Sequence, residues 1–259
     1  MGFVRAHQGT TPKKVEGKLS AVVRDLGIDY QALFANTYGS KFIGILYDNG
    51  KLERVVYGLL NARKGAGAHP GFSLFVRQPL LAVFRFRRSG QLLVVITYHL
   101  TWQERSRRPE ALWLYATVKA LNIPEDILVI LNGDSNVPQV DKQWEYGFTN
   151  KSQEVEANVY EHLLGSTDWT MRVTKKAHDT VLMRPAQQVA YEAKSRVLEG
   201  FENLSDHNPV LTTLSNLDQH DVNRDAPDST TTEDFLVRLG QLKGTTGNSF
   251  DIERVELPA

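Results

Sequence analysis

Apolar positions along this chain fall into short runs separated by polar turns, and the spacing within them predicts mostly strands, with a few helices outside. Thr11 and Pro12 can open a helix over 12–26 in which Val15, Leu19, Val22, Val23 and Leu26 share a face and Gly27 supplies the stop. The pattern then shortens to strands over 30–34, 42–47 and 52–57. Asp48-Asn49-Gly50 predicts a hairpin between the last two, because Asn-Gly tolerates positive φ. The next strand, 80–86, alternates apolar residues with Arg85, which puts one face in water. The strand over 92–99 is apolar almost throughout until His99, as a buried central strand would be. A helix over 109–121, with Leu112, Tyr115, Ala116 and Leu121 to one side, precedes a short apolar strand over 127–131 that stops at Asn132-Gly133-Asp134. Helices are expected over 153–164 and, as a surface insertion, over 187–198, and the last core strands over 180–183 and 209–214. Beyond Asn216 the chain becomes polar and aspartate-rich. It therefore divides into a main domain, 1–216, and an extension, 217–259, of linker, short helix over 232–242 and added strand over 252–255. The class is α+β.

Composition narrows the picture. Across 259 residues, 30 Lys and Arg balance 30 Asp and Glu, which excludes a grossly basic nucleic-acid coat but not a local cationic groove. The absence of cysteine removes disulfide scaffolds, thiolate zinc sites and cysteine nucleophiles together. No apolar run approaches the roughly 18 residues of a spanning helix, and the first residues lack the apolar core of a signal peptide. An intracellular protein without a membrane partner is the expectation. The glycine-rich stretch 65–71 has no Lys-Ser/Thr after it, so it is not a phosphate-cradling P-loop, and neither G-x-G-x-x-G nor G-x-S-x-G occurs.

Candidate chemistry lies where apolar strands end in polar residues: His99, the pair Asp134 and Asn136, Asp179, and the run Ser205-Asp206-His207. Singly, each has a plain reading. Asp134 and Asn136 are what a turn prefers, a lone strand-end His is commonly structural, and Ser205-Asp206-His207 suits a polar loop. Together, two histidines and three aspartates at strand ends form a set suited to a divalent metal and a general base. Oxygen donors without thiolate favour Mg²⁺ or Mn²⁺.

These residues carry a resemblance. Leu131-Asn132-Gly133-Asp134-Ser135-Asn136 resembles the GDxN signature of the endonuclease/exonuclease/phosphatase superfamily, the DNase I-like proteins. Leu204-Ser205-Asp206-His207-Asn208-Pro209-Val210 is similar to its closing SDHxPV motif. Tyr98-His99-Leu100 resembles the family's internal histidine, Arg77-Gln78-Pro79-Leu80 its R-x-P segment, and Phe42 to Asp48 an early strand. The resemblance implies a four-layer αββα sandwich and Mg²⁺- or Mn²⁺-dependent hydrolysis of a phosphate ester, most naturally in nucleic acid. It also implies roles. His207 would be the general base, Asp206 would orient it and bind metal, and Asp134 would bind metal and position the water. Asn136 and Arg77 would contact substrate phosphate, His99 would stabilise phosphoryl charge, and Asp179 would match the aspartate before a late strand.

Two departures qualify what the resemblance implies. The family's opening strand with its Asn, and the following Gln-Glu that supplies its main metal ligand, have no counterpart here. Ser135 stands where the family has an aromatic residue. Without that carboxylate the metal would be held weakly, and the absent strand would leave a sheet edge for a protein partner to cover. Two functions follow as expectations. One is a Mg²⁺-dependent phosphodiesterase acting on DNA or RNA. The other is a catalytically degenerate member serving as a binding or structural subunit of a ribonucleoprotein assembly.

Overall fold

The computed structural model describes residue 24 and residues 29–37, 41–64, 75–101, 103–136, 160–162, 179–186, 192–197, 210–215, 229–243 and 249–255. The helix expected over 12–26 lies outside these residues except for Arg24, which is helical. Among the described residues, eleven strands and two long helices follow in the order β1 (Tyr30–Thr37), β2 (Lys41–Asp48), β3 (Leu52–Lys64), β4 (Leu80–Phe86), β5 (Leu92–His99), α1 (Glu104–Ala120), β6 (Leu128–Asp134), β7 (Glu161–His162), β8 (Asp179–Arg184), β9 (Glu192–Val197), β10 (Val210–Ser215), α2 (Ser229–Gln241) and β11 (Ser249–Val255).

A seven-stranded mixed sheet in the order β11-β3-β4-β5-β6-β8-β7 forms the centre, and β1–β2 and β9–β10 are separate antiparallel pairs. Strands β5 and β6 run parallel, because α1 carries the chain back between them. Alternation along each central strand divides its side chains between two cores. On one face Val94, Ile96, Val129, Leu131 and Leu182 pack with Leu114 and Leu121 of and after α1, Phe235 and Leu239 of α2, and Phe250 of β11. On the other, Val95, Ile130, Val181 and Phe84 pack with Leu33, Ile43, Ile45 and Tyr47 of the β1–β2 pair, and Ala193 and Leu214 of β9–β10 join them. Tyr47 and Phe84 meet with ring centroids 4.9 Å apart. The described residues thus form an α+β sandwich of helices, central sheet and outer β pairs.

Several expectations are corrected. Asp48-Asn49-Gly50 does form a turn, with Gly50 N donating to Asp48 Oδ1 at 2.9 Å, but β2 and β3 do not pair. Asn49 N is instead tied to Asp29 O at 2.8 Å, so the turn is a corner that passes the chain from the outer pair into the central sheet. Strand β4 is buried on both faces until Arg85, because sandwiching covers both sides of a central strand. Helix α1 begins five residues before Pro109; of the side expected to be buried, Ala116 and Leu121 are buried and Leu112 and Tyr115 are half-buried, while Ala111, Leu114 and Val118 complete the buried stripe. Residues 192–197, expected within a helix, form β9. Exposed Glu192, Lys194 and Arg196 alternate with half-buried Ala193 and Ser195, which is a period of two. The end of the helix expected over 153–164 is likewise a strand, β7, paired to β8, and residues 153–159 lie outside the described set.

The C-terminal elements are built into the core. Strand β11 runs parallel to β3 and takes its outer edge. Arg238 of α2 donates to Asn122 O at 2.8 Å, and Thr232 Oγ1 to Asp126 Oδ2 at 2.9 Å, which fixes α2 on the turn between α1 and β6. At the same end of the sheet, buried Arg184 donates to the carbonyls of Ile123 (2.9 Å), Pro124 (2.6 Å) and Ile127 (3.2 Å). Its desolvation is offset by those three acceptors. Phe250 is wholly buried. Phe250→Ala is therefore expected to lower stability by about 3–5 kcal/mol in urea unfolding. A loss under about 1 kcal/mol would show that β11 lies outside the cooperative unit.

Candidate functional site

The parallel register of β5 and β6 places His99 opposite Asp134, and the antiparallel ladder of β6 and β8 places Asp134 opposite Asp179. Laddered partners project to the same face. The three side chains therefore form one row across the rim where β5 and β6 end and β8 begins, on the face that carries the β1–β2 pair. His99 Nε2 lies 3.5 Å from Asp134 Oδ2, and both residues are buried, at 8% and 5% exposure. Asp179 is half-buried.

Asp134 also organises the turn that follows it. Its Oδ1 accepts from Asn136 N at 2.8 Å, and Asn136 sits at φ 51°, a left-handed conformation that Asn tolerates. Asn136 Nδ2 donates to Leu100 O at 2.8 Å, while Leu100 N donates to Asp134 O at 2.9 Å. The Leu100 peptide, next to His99, is thus held on both sides by the turn after β6. Strand β6 extends through Gly133 and Asp134 rather than stopping at Leu131. Gly133 has φ 156°, and a Cβ placed there would come 1.9 Å from Tyr98 O. Only glycine lets the two strand ends approach this closely.

Among the remaining candidates, Arg77 is 4% exposed in the segment leading into β4. Leu80, three residues on, is opposite Thr97 at the start of the β4–β5 ladder. Asp206 and His207 lie outside the described residues. Glu110, which the sequence reading passed over, is 1% exposed. Its Oε1 accepts from Val76 N at 2.7 Å, and its Oε2 accepts from Thr101 N. Burial pushes its pKa above the ordinary carboxylate value, against the pull of those amides and of the Arg77 charge. The available signal was its helical phase with Leu114, Thr117 and Leu121, all buried, which marked a charged residue on a core-facing stripe.

No group of three His, Asp or Glu side chains among the described residues is placed to hold a metal ion. Asp134 and Asp179 supply oxygen donors of the kind hard divalent cations take, which fits part of such a site but not a whole one.

A parallel β-α-β unit thus delivers a histidine and a carboxylate to one rim of the central sheet. The chain has the fold of the endonuclease/exonuclease/phosphatase, DNase I-like, proteins. It is similar to ANGEL2, solved with adenosine-2′,3′-vanadate and described as a 2′,3′-cyclic phosphatase, at TM-score 0.59 and 12% identity over 82% of this chain and 80% of that one. It is similar to D. rerio TDP2, solved with a single-strand DNA product, at TM-score 0.55 and 16% identity over 82% and 84% of the two chains. An endonuclease/exonuclease/phosphatase from Bacteroides vulgatus aligns at TM-score 0.55 and 18% identity over 76% and 80%. No protein-family model matches the chain, and no curated protein matches it in sequence. No helix among the described residues is long and apolar enough to cross a membrane.

Two outcomes test this geometry. Gly133→Ala must displace the Tyr98 carbonyl and is expected to cost more than about 3 kcal/mol, well above an ordinary exposed strand substitution. Thermal unfolding monitored by circular dichroism measures it, and a loss under about 1 kcal/mol would contradict the close approach. The second concerns Glu110, whose folded pKa is raised. Its contribution to stability is fully present below the unfolded value of 4.5 and is lost as pH rises through the folded value. Unfolding free energy of the native chain should therefore fall relative to Glu110→Gln across that window in denaturant titrations. A parallel pH dependence for the two proteins would contradict the raised value.

Proposed function

We propose that this protein is a divalent-metal-dependent phosphodiester hydrolase acting on nucleic acid. The single observation that carries the reading is the row of His99, Asp134 and Asp179 at one rim of a phosphoesterase-type sheet. His207 takes a proton from the attacking water, and Asp206 orients His207. Asp134 positions that water, and His99 stabilises negative charge gathering on the phosphoryl oxygens. Asn136 spends one amide hydrogen on Leu100 O and keeps the second for a phosphate oxygen. Asp179 completes the row as a further carboxylate. Arg77, buried beside Glu110, acts on substrate phosphate through its charge. A bound Mg²⁺ or Mn²⁺ would be held by Asp134 and Asp206 and would supply Lewis-acid polarisation of the phosphoryl group. Nucleic acid as substrate is supported by the similar structures, which hold a single-strand DNA product and an adenosine-2′,3′-vanadate.

The test is hydrolysis of bis-p-nitrophenyl phosphate and of single-stranded DNA and RNA, with Mg²⁺ or Mn²⁺. Turnover should vanish with chelator and return with metal, and His99→Ala or His207→Ala should lower kcat by roughly 10²–10⁴-fold. Failure of the native chain on the whole panel, or a His207→Ala variant as fast as native, would remove the reading.

A further inference from the structure

We propose that Glu110 is a positioning residue for this site, fastening the entry to β4 and the exit from β5 to one buried carboxylate so that His99 and Arg77 keep their places. The kinetic part rests on the hydrolase reading above, whereas the geometric part stands on the structure. Val76, whose amide donates to Oε1, adjoins Arg77. Thr101, whose amide donates to Oε2, is two residues beyond His99. These two segments flank neighbouring antiparallel strands, and nothing in a sheet ladder constrains chain that has already left it. From the opposite side the Leu100 peptide is gripped by Asp134 O and Asn136 Nδ2. His99–Thr101 is therefore pinned on both flanks, once by the turn after β6 and once by α1.

The side-chain chemistry favours this role over plain packing. Two backbone N–H groups converge on one point and require two acceptors. A carboxylate offers two acceptors and no donor, whereas a glutamine turns one of them into a competing donor. Burying a charge at 1% exposure costs stability, and an apolar residue in phase with Leu114 and Leu121 would serve the core better. Retaining the carboxylate there is accounted for by the two loops it holds. Loosening them would misplace His99 by a fraction of an ångström while leaving substrate-binding groups on the chain. The effect belongs in kcat rather than in KM.

The test compares Glu110→Ala and Glu110→Gln with Phe250→Ala, a core variant remote from the rim, at a temperature where circular dichroism shows each to be folded. Per folded molecule, Glu110→Ala should lose roughly 10–100-fold in kcat with KM within about threefold, and Glu110→Gln should lose less. Phe250→Ala should match the native kcat. In parallel, amide hydrogen exchange should show Leu100 and Thr101 losing protection in Glu110→Ala, and the Asn136 side-chain amide resonance should shift. An unchanged kcat in folded Glu110→Ala would overturn the positioning role while leaving the hydrolase reading intact. Should the native chain hydrolyse nothing, that reading falls and exchange alone decides. Unaltered protection at Leu100 and Thr101 would then overturn the proposal.

Discussion

The close parallel approach of β5 and β6 is the constraint on which the site depends. Its tightest point is Gly133, where the backbone of β6 runs against the carbonyl of Tyr98 with no room for a side chain. From that contact the register follows, and from the register follows the alignment of His99, Asp134 and Asp179. A slip of β6 by one residue would turn Asp134 to the opposite face, into a core built of Val94, Ile96 and Leu131, and break the row. Hydrophobic burial on both faces resists that slip, so the polar row is held by apolar residues behind it.

The rest of the molecule supports this arrangement from two ends. At the rim away from the site, Arg184 gathers three carbonyls of the turn after α1, and α2 caps the same turn through Arg238 and Thr232. At the site rim the supports are polar and finer: the Asp134–Asn136 turn on one flank of Leu100, and Glu110 on the other. Helix α1 links the two regions, since its first half carries Glu110 and the residues just after its end accept from Arg238. The parallel β-α-β crossover is therefore both the source of the register and the frame that holds the loops around it.

The C-terminal segment illustrates how composition and packing can point apart. Its polar, aspartate-rich linker reads as chain lacking the apolar residues for a core of its own. The few apolar residues beyond it, Phe235, Leu239, Phe250 and Ile252, are nonetheless buried in the core shared with α1. A short segment needs no core of its own where an existing sheet offers an unfilled edge and an apolar face.

The sequence by itself determined the β-rich α+β pattern, put His99, Asp134 and Asp179 at or beside strand ends, and carries motifs that resemble those of the DNase I-like proteins, because alternation and motif spacing are local properties of the chain. It misassigned the corner at Asp48-Asn49-Gly50, where the turn is local but the choice of strand partner is not. It misassigned β9 for the same kind of reason: Glu192, Lys194 and Arg196 already alternate with Ala193, Ser195 and Val197, but so short a run is fixed as a strand only by its pairing with β10. Only the tertiary structure decided that Gly133 must lack a side chain, that Asn136 is tied to Leu100, and that Glu110 is buried between two loops. Each of these depends on residues far apart in sequence meeting within a few ångströms, and that distance is set by the packing of the whole sheet.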